Sequence, residues 1–289
     1  TVELPLTGIE APGSMVASAE IQAGDELRPD DRAQAAFHVR GVLRVLVADG
    51  QLDAESARDR ASLFFRKALD PFRERRYANV LDMAAARRLP DVRYEDYDLV
   101  ALLHVPKLPG APDAEGGVRY PALERLERYV RDGGGLIVFA GPGLDTTWYN
   151  ALLHGDGEGL LPYKLGKVVG DVDEETGWAR DESQYVQLDP DEVSDEPYLR
   201  PFTGRVGSIG CKLARFFVFR AVEEKAVAPT DASVGPPEVV ARFNDKARSP
   251  AIVARRYGRG RVVTVLTSAN RQWTDWPVPL RIGEVELVA

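Results

Sequence analysis

The side chains in this 289-residue sequence that could do acid–base or nucleophilic chemistry are few: His38, His104, His154 and the single cysteine Cys211. Asp49, His104, Gly141, Asp145, Asn150, Ser268 and Asn270 fall where apolar runs end, with Trp148 and Tyr149 beside them. Together they read as a polar, slightly aromatic set that could line a ligand pocket. Within it, His104 as general base and Asp49 as orienting carboxylate would make the minimal hydrolytic dyad. The plainer reading is a histidine that satisfies its hydrogen bonds at a strand end. The stretch Ile209-Gly210-Cys211-Lys212-Leu213 lacks the leading glycine of a nucleophile elbow and follows no strong strand. It predicts a structural, half-buried thiol in a β-rich segment. Ser208, in Val206-Gly207-Ser208-Ile209-Gly210, misses the Gly-x-Ser-x-Gly elbow by one position. Gly141-Pro142-Gly143 has neither the third glycine nor the lysine of a phosphate cradle. The acidic run Asp171, Asp173, Glu174, Glu175, Asp181, Glu182 lacks the glycine of an EF-hand loop and reads as a solvated excursion. No cofactor or metal is expected.

Those residues must be positioned by the elements around them. Val42 to Ala48 is apolar apart from Arg44 and stops at Asp49-Gly50, the pattern of a buried parallel strand. Ala57, Ala61, Phe64, Phe65, Ala68 and Leu69 recur at helical spacing, with Pro71 beyond. Tyr77 to Leu81 reads as a second strand and Leu99 to Val105 as a third. Tyr120, Leu123, Leu126, Tyr129 and Val130 share a helix face that ends at Asp132-Gly133-Gly134-Gly135. A fourth strand, Leu136 to Ala140, follows. This alternation predicts a doubly wound, mainly parallel sheet from 42–48, 77–81, 99–105 and 136–140. Further strands are expected at Phe216 to Val222, Val239 to Phe243, Ala251 to Tyr257 and Arg261 to Thr267, the last two joined by a turn at Gly258-Arg259-Gly260 and extending one edge. A β-rich insertion is expected over about 171–235. Residues 1–40 carry alternating stretches such as Met15 to Ile21, with turns at Gly24-Asp25 and Pro29-Asp30-Asp31, and read as the tail of a preceding β-sandwich. The opening Thr1-Val2-Glu3-Leu4 reads as a chain entered mid-strand, so a longer parent protein is expected.

Composition narrows the function classes. Hydrophobic residues make up 44% and charged residues 28%, ordinary values for a globular domain. The net charge of −8 argues against a nucleic-acid partner, which needs a clustered cationic surface. One cysteine excludes an intrachain disulfide. No apolar run approaches the roughly 18 residues that span a bilayer.

Several stretches together carry a resemblance: Arg44 to Gly50, Tyr97-Asp98-Leu99-Val100, Tyr129-Val130-Arg131-Asp132-Gly133-Gly134-Gly135-Leu136-Ile137-Val138-Phe139, and Tyr257 to Val263. They resemble the class I glutamine-amidotransferase-like domain of BatA-like bacterial membrane proteins, over roughly residues 14–280. Asp25 to Arg32 looks like the close of the β-sandwich that precedes the domain there. The resemblance implies a flavodoxin-like fold for 41–289 and an extracytoplasmic place in the cell envelope, reached through membrane regions outside this sequence; the cytoplasm stays open. It also implies a nucleophilic cysteine on a Gly-x-Cys-x-Gly turn and a downstream His-x-Glu pair. Here the matching turn is Ala140-Gly141-Pro142-Gly143-Leu144, without Cys, Ser or Thr, and no histidine has that spacing to an acid. The expected function is a non-catalytic interaction or ligand-sensing domain with a protein or small-molecule partner. The alternatives are a hydrolase using the strand-end His104 and Asp49, or an architectural spacer.

Overall fold

The computed structural model describes residues 13–20, 32–39, 41–54, 56, 60–69, 80–196, 199, 202–225, 228–276, 280–282 and 285–287. Two compact units divide the chain, Thr1–Leu43 and Arg44–Ala289.

In the first unit, strands β1 (Gly13–Glu20) and β2 (Arg32–Val39) pair antiparallel from Gly13↔Val39 to Glu20↔Arg32. Because side chains alternate along a strand, Met15, Ala17, Phe37 and Ala35 share one face, and Ser18 and Gln34 share the other. There the Gln34 amide donates to the Ser18 hydroxyl at 3.1 Å. The turns at Gly24-Asp25 and Pro29-Asp31, and the stretch Asp25 to Arg32 as far as residue 31, lie outside the described residues.

The second unit is mixed α/β around a central, mainly parallel sheet. Its strands and α-helices, in chain order, are β3 (Arg44–Asp49), α1 (Ser62–Leu69), β4 (Val80–Ala85), β5 (Leu99–Leu103), the short pair β6 (Ala111–Pro112) and β7 (Val118–Arg119), α2 (Pro121–Arg131), β8 (Gly135–Phe139), α3 (Thr146–Trp148), β9 (Lys164–Val169), β10 (Leu188–Val193), α4 (Gly204–Leu213), β11 (Phe219–Glu223), β12 (Glu238–Phe243), β13 (Pro250–Tyr257), β14 (Gly260–Val265) and the short antiparallel pair β15 (Leu280–Ile282) and β16 (Val285–Leu287). The sheet order is β10-β12-β13-β14-β8-β5-β3-β4. Strands β14, β8, β5, β3 and β4 run parallel. The pairs β10/β12, β12/β13 and β13/β14 are antiparallel.

Strands β3, β5 and β8 are in register, with Leu46, Val100 and Leu136 side by side and Ala48, Leu102 and Val138 one step on. These six face one core together with Leu123, Leu126, Tyr129 and Val130 of α2. Phe139 faces the other way and meets the ring of Phe65 on α1 at 6.0 Å, so the two helices cover opposite faces. Helix α2 begins with Pro121, whose missing N–H is no loss in a first turn. It ends where Gly133, at φ 119°, reverses the chain: the Gly133 and Gly134 N–H groups donate to Val130 and Tyr129 carbonyls. The chain enters β8 at once.

Several expectations are corrected. The second strand is Val80–Ala85, displaced from Tyr77–Leu81; residues 77–79 lie outside the described residues. Asp82 sits inside an edge strand because the Tyr97 hydroxyl donates to its carboxylate at 2.8 Å. The strand expected from Phe216 starts at Phe219 and pairs with β9 in a separate small sheet, because Phe216 is drawn into isolated bridges with Val186 and Thr274. The expected extension of one edge of the four parallel strands is found: β14 lies parallel to β8, and β13, β12 and β10 continue the sheet beyond it. The described part of the first helix starts at Ser62, and Ala57 lies outside the described residues. Cys211 lies on a ten-residue helix, α4, not in a β segment. Helical spacing of Cys211 and Ala214 turns both into an apolar cluster with Phe216, Phe219 and Phe243.

Candidate functional site

At the carboxyl ends of β3, β5, β8 and β14 the chain leaves the sheet through Asp49-Gly50-Gln51, His104, Ala140-Gly141 and Leu266 to Asn270. Four residues of the expected set meet here. His104 is 1% exposed and holds a left-handed backbone, φ 51°, unusual for a residue with a side chain. Its Nε2 accepts the Ala269 N–H at 2.8 Å, which leaves the proton on Nδ1, 2.9 Å from the Gln51 Oε1 that accepts it. Gly141 is required by close approach: a Cβ there would stand 2.4 Å from His104 Nε2. Asn270 Nδ2 donates to Gln51 Oε1 at 3.2 Å and to Gln272 Oε1 at 3.0 Å. Gln51 Nε2 donates to Gln272 Oε1 at 2.9 Å, and Gln272 Nε2 to the Thr176 carbonyl at 3.3 Å. The Ser268 hydroxyl donates to the Asn270 carbonyl at 2.7 Å and accepts the Trp273 N–H at 3.1 Å.

The set is therefore a closed circuit of amides around one imidazole. Ser268, Asn270 and Gln272 are each at most 3% exposed. Burial pushes the His104 imidazole down to about 3, so it is neutral at ordinary pH. The excursion after β9 covers the circuit, with Gly177 against Pro142 and its carbonyl accepting the Trp273 Nε1–H at 3.0 Å.

The other expected residues go elsewhere. Asp49 is buried beside His104 in sequence of strand ends but is spent on the backbone: Oδ1 accepts the Gln51 N–H at 2.7 Å and Oδ2 the Ser62 N–H at 2.9 Å. The orienting partner of His104 is Gln51, so the His104–Asp49 dyad is not the arrangement found. Asp145 caps α3 by accepting the Trp148 N–H at 3.0 Å and faces Lys107 at 3.6 Å. Asn150 clamps Leu165, donating to its carbonyl at 2.9 Å and accepting its N–H at 2.8 Å. The turn at Ala140 to Gly143 is backed by Arg220, 6% exposed, which donates to the Ala140 carbonyl at 3.5 Å and the Thr146 hydroxyl at 2.9 Å. Cys211 is fully buried, its thiol on the Phe202 carbonyl at 3.6 Å, and burial raises its pKa.

An open cleft of about 520 Å³ lies beside this circuit, over the ends of β3, β4 and β5. Chain connections step from β3 outward to β4 and then back across β3 to β5, so the strand order reverses here. Crevices of open α/β sheets form at such a reversal, because the loops leave to opposite sides. Leu52, Leu108, Pro109 and Tyr120 are apolar walls, and Asp53, Arg87 and Lys107 bring charge. Of the expected set only Asp49 borders it. Sequence reasoning missed Gln51, Gln272, Arg220 and Lys107, whereas Arg87 stands out in the sequence as half of the basic pair Arg87-Arg88, which reads there as solvated surface. Gln51 and Gln272 could have been found as second residues past Asp49 and Asn270; Arg220 and Lys107 carry no local signal, since nothing in the sequence says which strand ends become neighbours.

Among the described residues, no group of three His, Cys, Asp or Glu could hold a metal ion, and no helix is long and apolar enough to cross a membrane. No family model and no curated protein matches the chain. Among solved structures it is similar to Cytoplasmic Protein STM3548 from Salmonella typhimurium at 13% identity and a TM-score of 0.49, covering 92% of this chain and 89% of that one. It is similar to a β-galactosidase from Bacillus circulans sp. alkalophilus at 11% identity and a TM-score of 0.45, over 79% of this chain and 29% of the enzyme. A thua-like protein from Bacteroides uniformis aligns at 14% identity and a TM-score of 0.39, over 80% of this chain and 82% of that one. At these identities and scores no activity or partner carries over to this chain.

Proposed function

We propose that this chain is a non-catalytic interaction or ligand-sensing domain of amidotransferase-like, flavodoxin-like type, binding a small molecule in the cleft at the ends of β3, β4 and β5. The observation that carries this reading is the saturation of His104: both ring nitrogens are engaged, by Ala269 and Gln51, and the ring is buried against Gly141. A general base needs a free lone pair within reach of a substrate proton. Beside it stands an open cavity within the size range of small-molecule sites, with apolar walls and a few charged groups. From the resemblance in Tyr129 to Phe139, we also propose a place on the extracytoplasmic side of a bacterial cell-envelope protein, a point that fractionation with a protease-accessibility assay would check.

Ammonia release from glutamine and hydrolysis of an activated ester test the non-catalytic reading directly. The purified chain is expected to stay at background in both, with Cys211→Ser and His104→Asn unchanged. Turnover that either substitution abolishes would overturn the reading in favour of a hydrolase.

A further inference from the structure

Arg87 lies on a short 3-10 helix, Ala86–Asp91, that follows β4, and Lys107 follows β5, so two cations border the cleft from the ends of different strands. Asp53, on the loop after β3, meets Arg87 through a single contact, Nη1 to Oδ2 at 2.5 Å. The guanidinium offers five donors in a planar fork that suits two oxygens at once, and no other partner of Arg87 is found among the described residues. The pair is also open to water, with the two side chains 69% and 70% exposed, and an ion pair of that kind exchanges easily. Arg87 and, more weakly, Arg60 hold the Asp53 carboxyl below its usual range, which keeps it anionic and in competition for the site. Asp49, the other acid at the rim, has both oxygens committed to backbone N–H groups. Leu108, Pro109 and Tyr120 give the cleft an apolar wall that a ring or short chain could cover.

We infer that the cleft takes a small organic anion, a carboxylate or a phosphate monoester with a compact apolar body, whose charged group replaces Asp53 on Arg87 while Lys107 adds to the attraction. This rests on the binding reading of the cleft. Asp53 then acts as an internal stand-in for the ligand, filling the guanidinium when the site is free. The exchange makes no covalent bond and needs no co-reactant.

Benzoate and phenyl phosphate, with neutral benzamide and cationic benzylamine as controls, would be titrated into the whole chain and followed by amide chemical shifts. The same titrations would be run on Asp53→Asn, Arg87→Gln and Lys107→Gln, all surface changes that should leave the melting temperature in place. Asp53→Asn is expected to tighten benzoate or phenyl phosphate by about tenfold, as removal of a competing charge does, and Arg87→Gln to weaken it by about as much. The stronger of the two anions names the head group. Weaker anion binding in Asp53→Asn would overturn the inference, since Asp53 would then be a ligand contact. Benzamide or benzylamine binding the cleft in preference to the anions, with Arg87→Gln indifferent, would overturn the anion assignment and leave the cleft as a binding site. Failure of every probe would also overturn it, while the hydrolysis assays judge the non-catalytic reading separately.

Discussion

The His104 imidazole accepts the backbone N–H of Ala269 across 165 residues of sequence, at 2.8 Å, and so ties the exit of β5 to the exit of β14. This bond exists only while Nε2 is unprotonated. Burial lowers the folded-state pKa to about 3, against an ordinary value near 6.5. A depressed histidine contributes stability that is complete above its unfolded pKa and is lost as pH falls, because the unfolded chain takes a proton that the folded one refuses. Stability should therefore drop by roughly 1 kcal/mol per pH unit from about pH 6 downward. Urea melts from pH 7 to pH 4.5 would show it, and His104→Asn, which keeps a residue tolerant of left-handed backbone, should flatten that slope. An unchanged slope would mean that the imidazole is not the group responsible.

Gly141 and Gly143 separate close approach from backbone strain. A Cβ on Gly141 meets His104 Nε2 at 2.4 Å, whereas Gly143, at φ 79°, has nothing within reach of one. Gly143→Ala should cost about 1 kcal/mol from left-handed strain alone. Gly141→Ala should cost about 1–3 kcal/mol by forcing the ring aside, and should also shift the Gln51 and Asn270 side-chain amide resonances. Equal costs with unmoved resonances would contradict the packing described for His104.

Leu46→Asp is expected to unfold the second unit. Leu46 is 1% exposed between β4 and β5, where an unpaired carboxylate costs several kcal/mol, roughly 3–5. Ile137→Asp, which the β8 run suggests is equivalent, should cost less, because Ile137 is only half-buried while Leu136 and Val138 on either side are buried. Thermal melts followed by circular dichroism would rank them. A Leu46→Asp melting point within a few degrees of the parent would refute the core assignment.

Arg255 is 1% exposed on β13 and donates to the Gly157, Gly159 and Leu161 carbonyls at 3.0, 3.0 and 3.1 Å and to the Gly235 carbonyl at 3.0 Å. Arg255→Met would leave those acceptors buried and unsatisfied, with an expected loss of about 2–4 kcal/mol. Arg255→Lys should recover little of it, since an ammonium cannot span the same carbonyls as the planar fork. Denaturant midpoints of the two variants measure this; full recovery by lysine would show that charge matters and fork geometry does not.

Much of the second unit is legible along the chain. The apolar runs at Arg44 to Asp49 and Leu99 to Leu103, and the amphipathic Leu123-Leu126-Tyr129-Val130 face with its glycine stop, are local patterns, because burial on both faces of a strand or one stripe of a helix imprints a period on the sequence. The missing nucleophile at Ala140 to Leu144 is equally local, since an absent side chain is absent in any fold. Asp82 sits inside β4 because the distant Tyr97 hydroxyl donates to its carboxylate, and Cys211 lies on the helix α4 although its stretch reads as part of a β-rich segment. The site depended on the tertiary structure entirely. Asp49, Asp145 and Asn150 have the right types and positions near strand ends, yet their carboxylates and amide are taken by backbone groups of Ser62, Trp148 and Leu165. Gln51, Gln272 and Asn270 become one circuit with His104 only because β14 docks parallel to β8, and Arg87, Lys107 and Asp53 share a cleft only because β3 lies between β4 and β5. Strand order sets which loop ends meet, and that order is decided by long-range pairing and packing that leave no periodic trace in the residues they bring together.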